Sequence, residues 1–104
     1  MVTAFSISEL ESQRKQRYLE FLRVPALSCG LYVLAAGARD EQKPHNEDEV
    51  YYVLRGEAHL QAGDEDFPVS AGKIIFVPAR VPHKFYGIEN ELELLVFFAP
   101  AESS

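Results

Sequence analysis

The stretch Gly37-Ala38-Arg39-Asp40-Glu41-Gln42-Lys43-Pro44-His45-Asn46-Glu47-Asp48-Glu49-Val50-Tyr51-Tyr52-Val53-Leu54-Arg55-Gly56 decides how the rest of the chain is read. It sets an imidazole and several carboxylates directly ahead of Val50 to Leu54, whose β-branched and aromatic residues make it the strongest strand signal in the sequence. Alternate side chains of extended backbone share a face. His45, Glu49, Tyr51 and Val53 therefore have one parity and can face one interior. Arg55-Gly56 then suits a turn or bulge that needs a permissive backbone.

A second segment, Gly72-Lys73-Ile74-Ile75-Phe76-Val77-Pro78-Ala79-Arg80-Val81-Pro82-His83, carries an imidazole past the end of another strand. Pro78 and Pro82 bracket the bend that delivers it, and His83 shares parity with Phe85 on the strand that follows. If the two strands face each other, His45, Glu49 and His83 converge on an apolar cavity. Metal binding needs neutral imidazole nitrogens and ionised carboxylates within ~2.0–2.2 Å of one point. Two histidines and one carboxylate form the set favoured by non-haem Fe(II), and Mn, Ni, Zn or Co can also occupy it.

Working outward, residues 1–17 are polar and charged, with two overlapping helix-start signals, Ser6-x-x-Glu9 and Ser8-x-x-Glu11. The apolar spacing there is poor, so a short surface helix or arm is predicted, apart from the core. From Tyr18 the period becomes two, giving a strand that ends at Val24-Pro25 and a second over Ser28 to Ala36. Ala58 to Gln61 leads into a hairpin turn at Ala62-Gly63-Asp64-Glu65, followed by strands at Phe67 to Val69, Ile74 to Val77 and Lys84 to Tyr86. Gly87 to Glu91 reads as a turn, and Leu92 to Ala99 is apolar on both faces, as a strand buried on both sides would be. Short strands spaced about ten residues apart, with Gly and Pro between them, predict an all-β sandwich or barrel over residues 18–104.

Composition narrows the function classes. The 104 residues are enough for one core. Ten Lys and Arg against sixteen Asp and Glu leave a formal charge of −6, which repels phosphates and weighs against nucleic acid as a partner. Cys29 is the single cysteine, excluding an internal disulfide, and is read as a buried thiol in a reducing compartment. No run reaches the ~20 apolar residues that span a bilayer, so a cytoplasmic protein with no membrane partner is expected.

The two segments resemble the paired motifs of the cupin superfamily. Gly37, Lys43-Pro44-His45, Glu49 and Gly56 match the spacing of the first motif, with Lys43 standing where its first histidine usually is. Gly72, Pro78 and His83 match the second, with Arg80 in place of a glycine and Gly87 in place of an asparagine. The resemblance implies a small double-stranded β-helix, a jelly-roll-like cupin barrel, with a short N-terminal helix. It implies His45, Glu49 and His83 as ligands of a divalent ion, Fe, Mn, Ni or Zn. It also favours a homodimer.

Lys43 opens the question of a fourth ligand. An ammonium repels a nearby cation, so Lys43 either turns away or holds an anionic substrate, and the amide oxygen of Gln42 is the alternative ligand. Tyr51, Phe76 and Phe85 are expected to line the substrate pocket, although strand aromatics are commonly plain core. Taken alone, Glu47-Asp48-Glu49 would be a solvated acidic loop, and Glu47 and Asp48 are expected to face solvent or the N-terminal segment. Arg39, Arg55 and Arg80 are read as neutralising nearby acids and His59 as structural. Two functions follow: a small-molecule metalloenzyme of dioxygenase or isomerase type, or a non-catalytic cupin that binds or senses a small ligand.

Overall fold

The computed structural model describes residues 2–103. One helix, α1 (Ile7–Gln13), precedes six strands: β1 (Tyr18–Val24), β2 (Leu27–Leu34), β3 (Asp48–Ala62), β4 (Glu65–Ser70), β5 (Ile74–Val77) and β6 (His83–Ala99). All pairings are antiparallel, in the order β1-β2-β6-β3-β4, with β5 also on β3. Among the described residues no helix is long and apolar enough to cross a membrane.

Two long strands make the barrel. The segments expected as separate strands on either side of Arg55-Gly56 are one continuous β3, and those on either side of Gly87 to Glu91 are one β6. Register shifts between Val53 and His59 are the bulges that bend β3. Its first half then pairs with β5 and the end of β6, and its second half with β4 and the start of β6. Gly56 is indispensable at the bend: its φ is +102°, and a Cβ there would lie 2.4 Å from the Glu91 carbonyl oxygen. The hairpin turn between β3 and β4 falls where its composition predicts, with Ala62 opposite Glu65.

The sheet's inner face supplies the core, with Leu34, Tyr51, Val53, Leu60, Val77, Phe85, Leu92, Leu94, Val96 and Phe98 packed together. The doubly apolar end of β6 is explained by a second cluster on the outer face. There Leu10 of α1 is buried against Leu31 and Val33, with Ile7, Leu19, Phe21, Leu54 and Leu95 around it. The helix lies on the surface, one of the two alternatives that its spacing predicts, and it is docked there because Ile7 and Leu10 lie one turn apart and suffice to cover a short outward stripe of β2. Its start is as expected: the Ser6 hydroxyl accepts from the Glu9 amide at 3.3 Å. Cys29 is buried on that same outer face, opposite Phe97.

Candidate metal centre

Glu49 and His83 are the second residue of β3 and the first of β6. The loop ahead of β3 carries His45, and one hydrogen bond, from the Arg80 amide to the His45 carbonyl at 2.7 Å, ties it to the bend that delivers His83. Arg80 has φ of 67°, in the left-handed region where glycine is favoured. The ligand atoms of His45, Glu49 and His83 all lie within 4.8 Å of one another. The expected convergence of these three residues is present.

The hydrogen bonds around this trio leave it rich in lone pairs. His83 Nδ1 lies 2.9 Å from the Val81 carbonyl, which can only accept, so the ring donates there and Nε2 faces the cluster. His45 Nδ1 lies 3.1 Å from a carboxylate oxygen of Glu102, again leaving Nε2 inward. The amide nitrogen of Gln42 donates to Asp40 Oδ2 at 2.8 Å, which aims the Gln42 oxygen at His45 Nε2, 3.2 Å away. The one hydroxyl among them, that of Tyr51, is 3.0 Å from His83 Nε2 and 3.2 Å from the Gln42 oxygen, with a single proton for the two. Glu49 is 1% exposed, and neither of its carboxylate oxygens has a hydrogen-bond partner. Its 3.1 Å approach to His83 Nε2 brings two acceptors together while that imidazole is neutral.

Electrostatics follow from this arrangement. The Glu102 hydrogen bond raises His45 above the ordinary histidine value against the opposing effect of burial. Burial pushes His83 down, but the nearby Glu49 carboxylate and the hydrogen bond to the Val81 carbonyl outweigh that and leave it raised. Burial and the neighbouring Glu49 charge lift Tyr51 well above an ordinary phenol, so it stays protonated. Glu49 is a buried carboxylate whose surroundings offer two kinds of partner: protons on the imidazoles, or a cation held between its own oxygens and the three acceptors around it. His45, Glu49, His83 and the Gln42 oxygen fit a divalent ion by the chemistry of their donor set.

A cavity of about 220 Å³ opens beside the cluster, walled by Tyr18, Tyr32, Gln42, His45, Glu49, Val96, Phe98 and Glu102. A Cβ at Gly30 would sit 2.2 Å from the Tyr18 ring, so this glycine leaves the space in which the ring lies. Tyr32 donates to Asp40 at 2.7 Å, whereas the buried Tyr18 hydroxyl has no partner.

Several expectations are corrected. Phe76 is 60% exposed on the outer face, because it pairs with Val50 while its neighbours Ile75 and Val77 take the inner positions. Lys43 is exposed and is not among the residues that wall the cavity beside the cluster. Phe85 is buried behind the site, edge-on to Tyr51 at 5.0 Å. Glu47, expected in solvent or on the N-terminal segment, is buried and accepts two hydrogen bonds from Ser103 near the other end of the chain. Asp40 and Glu102 were missed by the sequence reading: neither belongs to a motif, and Glu102 reaches the site only through the fold-back of the last residues.

Comparison with known proteins agrees with this architecture. The cupin domain pattern matches residues 30–99. An uncharacterized protein of Streptomyces coelicolor is 48% identical over 103 residues, covering 96% of this chain and 98% of its own. The crystal structure of TT1209 from Thermus thermophilus superposes with a TM-score of 0.75 at 27% identity, over 94% of this chain and 97% of that one. An RmlC-like cupin with a double-stranded β-helix fold from Methanocaldococcus jannaschii gives 0.73 at 22% identity, over 80% and 78%.

Proposed function

The chain belongs to the cupin domain family, and from that premise we propose that it is a small-molecule metalloenzyme whose divalent ion is held by His45, Glu49, His83 and the amide oxygen of Gln42. The observation that carries this reading is the meeting of three acceptors, His45 Nε2, His83 Nε2 and the Gln42 oxygen, with one hydroxyl donor around a carboxylate that has no hydrogen-bond partner. Left without a counter-charge, such a carboxylate is costly in a buried site. When bound, the ion supplies Lewis-acid or redox chemistry at a coordinated oxygen.

The protein's own groups then bind and orient the substrate. Val96 and Phe98 offer apolar contact, the Tyr18 hydroxyl is free to donate to a ligand oxygen, and Tyr51, protonated and fully buried, holds His83 and Gln42 in place. No Lys or Arg lines this cavity, and Glu102 contributes a carboxylate. That lining favours a neutral, oxygen-bearing ligand over the anionic one that Lys43 would have held.

A second reading draws on the raised imidazoles. Protons on His45 and His83 can compensate Glu49 in place of a metal, leaving a cupin that binds a small ligand without catalysis. Plasma mass spectrometry on untagged protein purified without added metal separates the two, with His83→Ala alongside. Near-stoichiometric metal in the parent, lost in the variant, is expected; absence of metal from both overturns the metalloenzyme.

The proposal extends to a homodimer. Tyr52, Ile74 and Phe76 form a contiguous apolar surface, exposed by 38%, 72% and 60%, on the outer face beyond the reach of α1. A second copy of the chain would cover it, and sedimentation as a monomer at micromolar concentration would refute the pairing.

A further inference from the structure

His45 differs from Glu49 and His83 in lying on a loop, where no strand register orients its ring. What touches the ring's Nδ1 is Glu102, at 3.1 Å, while Phe98 meets the ring edge-on at 4.8 Å. Glu102 lies in the short segment that follows β6, and that segment is pinned at several points. The Glu102 amide donates to the buried Ser28 hydroxyl at 2.9 Å, and Arg23 donates to the Glu102 carbonyl at 2.6 Å. Its neighbours are held too: the Ala101 amide bonds the Pro25 carbonyl, and Ser103 bonds Glu47 beside the His45 loop. The tethers of Glu102 to the β1–β2 hairpin all run through its backbone. The carboxylate is left over, and it is directed at His45.

We infer that Glu102 is a positioning residue that holds His45 in its Nδ1–H tautomer and so presents Nε2 to Glu49, His83 and Gln42. A carboxylate accepting from the outward nitrogen of an imidazole fixes both its tautomer and its orientation. For His83 the same task falls to the Val81 carbonyl, a peptide group that substitutions at position 102 do not alter. His83 is therefore an internal control. Only the effect on metal affinity rests on the metalloenzyme reading; the tautomer is a property of the metal-free protein.

The test uses the ¹⁵N-labelled full chain, stripped of metal, at about pH 8.5, above the ordinary imidazole range. Two-bond nitrogen–proton spectra of the imidazoles identify the tautomers in the parent protein, Glu102→Gln, Glu102→Ala and Glu102→Leu. Glu102→Gln keeps an acceptor oxygen and should retain the Nδ1–H pattern at His45. The Ala and Leu variants should lose it while His83 stays unchanged, and having two such variants guards against one failing to fold. An unchanged His45 pattern in a folded Ala or Leu variant overturns the inference. So does loss of the pattern in Glu102→Gln to the same extent as in Ala.

Co(II) titration followed by absorption then reads the consequence for affinity. A loss of about 10- to 100-fold is expected in the Ala and Leu variants, with Glu102→Gln much closer to the parent. A tautomer change accompanied by no Co(II) binding in any protein supports the positioning role and overturns the metal reading. Undiminished Co(II) binding with an unchanged tautomer overturns the positioning role and leaves the metal reading intact.

Discussion

Asp40 Oδ2 accepts from the side-chain amide of Gln42 at 2.8 Å, and that contact decides which end of Gln42 faces His45. The same carboxylate accepts from the Phe85 amide at 2.9 Å and, through its other oxygen, from Tyr32 at 2.7 Å. Asp40→Asn keeps the shape but replaces one acceptor with a donor, which frees Gln42 to turn over. Metal affinity should fall by about 10-fold or more, and urea unfolding should show a loss of about 1–3 kcal/mol from the mismatched hydrogen bonds. Affinity equal to that of the parent would remove Gln42 from the ligand set.

Glu49→Gln should separate stability from binding. In chelator at about pH 8.5, above the ordinary imidazole range, the new amide can donate to the acceptors that surround it. The metal-free variant should then be more stable than the parent by about 1–3 kcal/mol, because a buried carboxylate without donors has been removed. Added metal should raise the melting temperature of the parent and leave the variant unmoved.

Glu93 gives stability a pH dependence away from the site. Its carboxyl is 3% exposed on the outer face. Burial and the adjacent Glu11 of α1, with a smaller contribution from Glu91, push it from 4.5 up to about 7, against the pull of Arg55. Folding therefore takes up a proton between these values. The protonated form's contribution is complete below 4.5 and lost as pH rises through about 7. Glu93→Gln should be more stable than the parent by about 1–3 kcal/mol at pH 8 and match it near pH 4. A difference independent of pH would mean that Glu93 titrates normally in the fold.

Two backbone positions make opposite predictions. Gly56→Ala drives a Cβ onto the Glu91 carbonyl at a positive φ and should cost about 3 kcal/mol or more, since both colliding partners are backbone. Arg80 already tolerates a left-handed φ of 67°. Arg80→Gly should lie within about 0.5 kcal/mol of the parent, strain relief offsetting the added freedom of the unfolded chain. Arg80→Val, β-branched, should cost about 1–2 kcal/mol. Chemical denaturation of the three variants checks the ordering.

Much of the barrel can be read from residue alternation, and the site trio from the spacing that joins Gly37 to Gly56 and Gly72 to His83. These patterns are local, so they survive without knowledge of the fold. Gly56 and Gly87 mislead for the same reason: a glycine at positive φ marks a turn or a bulge equally well, and only the partner strand shows that β3 and β6 continue through them. Phe76 is misplaced because its face depends on its register with Val50, which lies far from it in sequence. Glu102 acts through His45, 57 residues away, and Asp40, although it orients Gln42 only two residues on, is itself held by the Phe85 amide 45 residues away. No motif spans such distances, whereas Gln42, inside the first motif and next to Lys43, could be nominated and needed only Asp40 to orient it.

The outward side of β2 offers a built-in reporter. Cys29 is the chain's single thiol, buried opposite Phe97, with burial holding it in its unreactive protonated form. Its two neighbours in sequence point the other way: Ser28 anchors the segment that bears Glu102, and Gly30 makes room for Tyr18. Any event that lifts this strand must uncover sulfur. The rate at which a thiol reagent modifies the unaltered protein therefore counts openings of the strand behind the cavity, with no label introduced, and slower modification in the presence of a bound ion or ligand would measure how firmly occupancy clamps the wall.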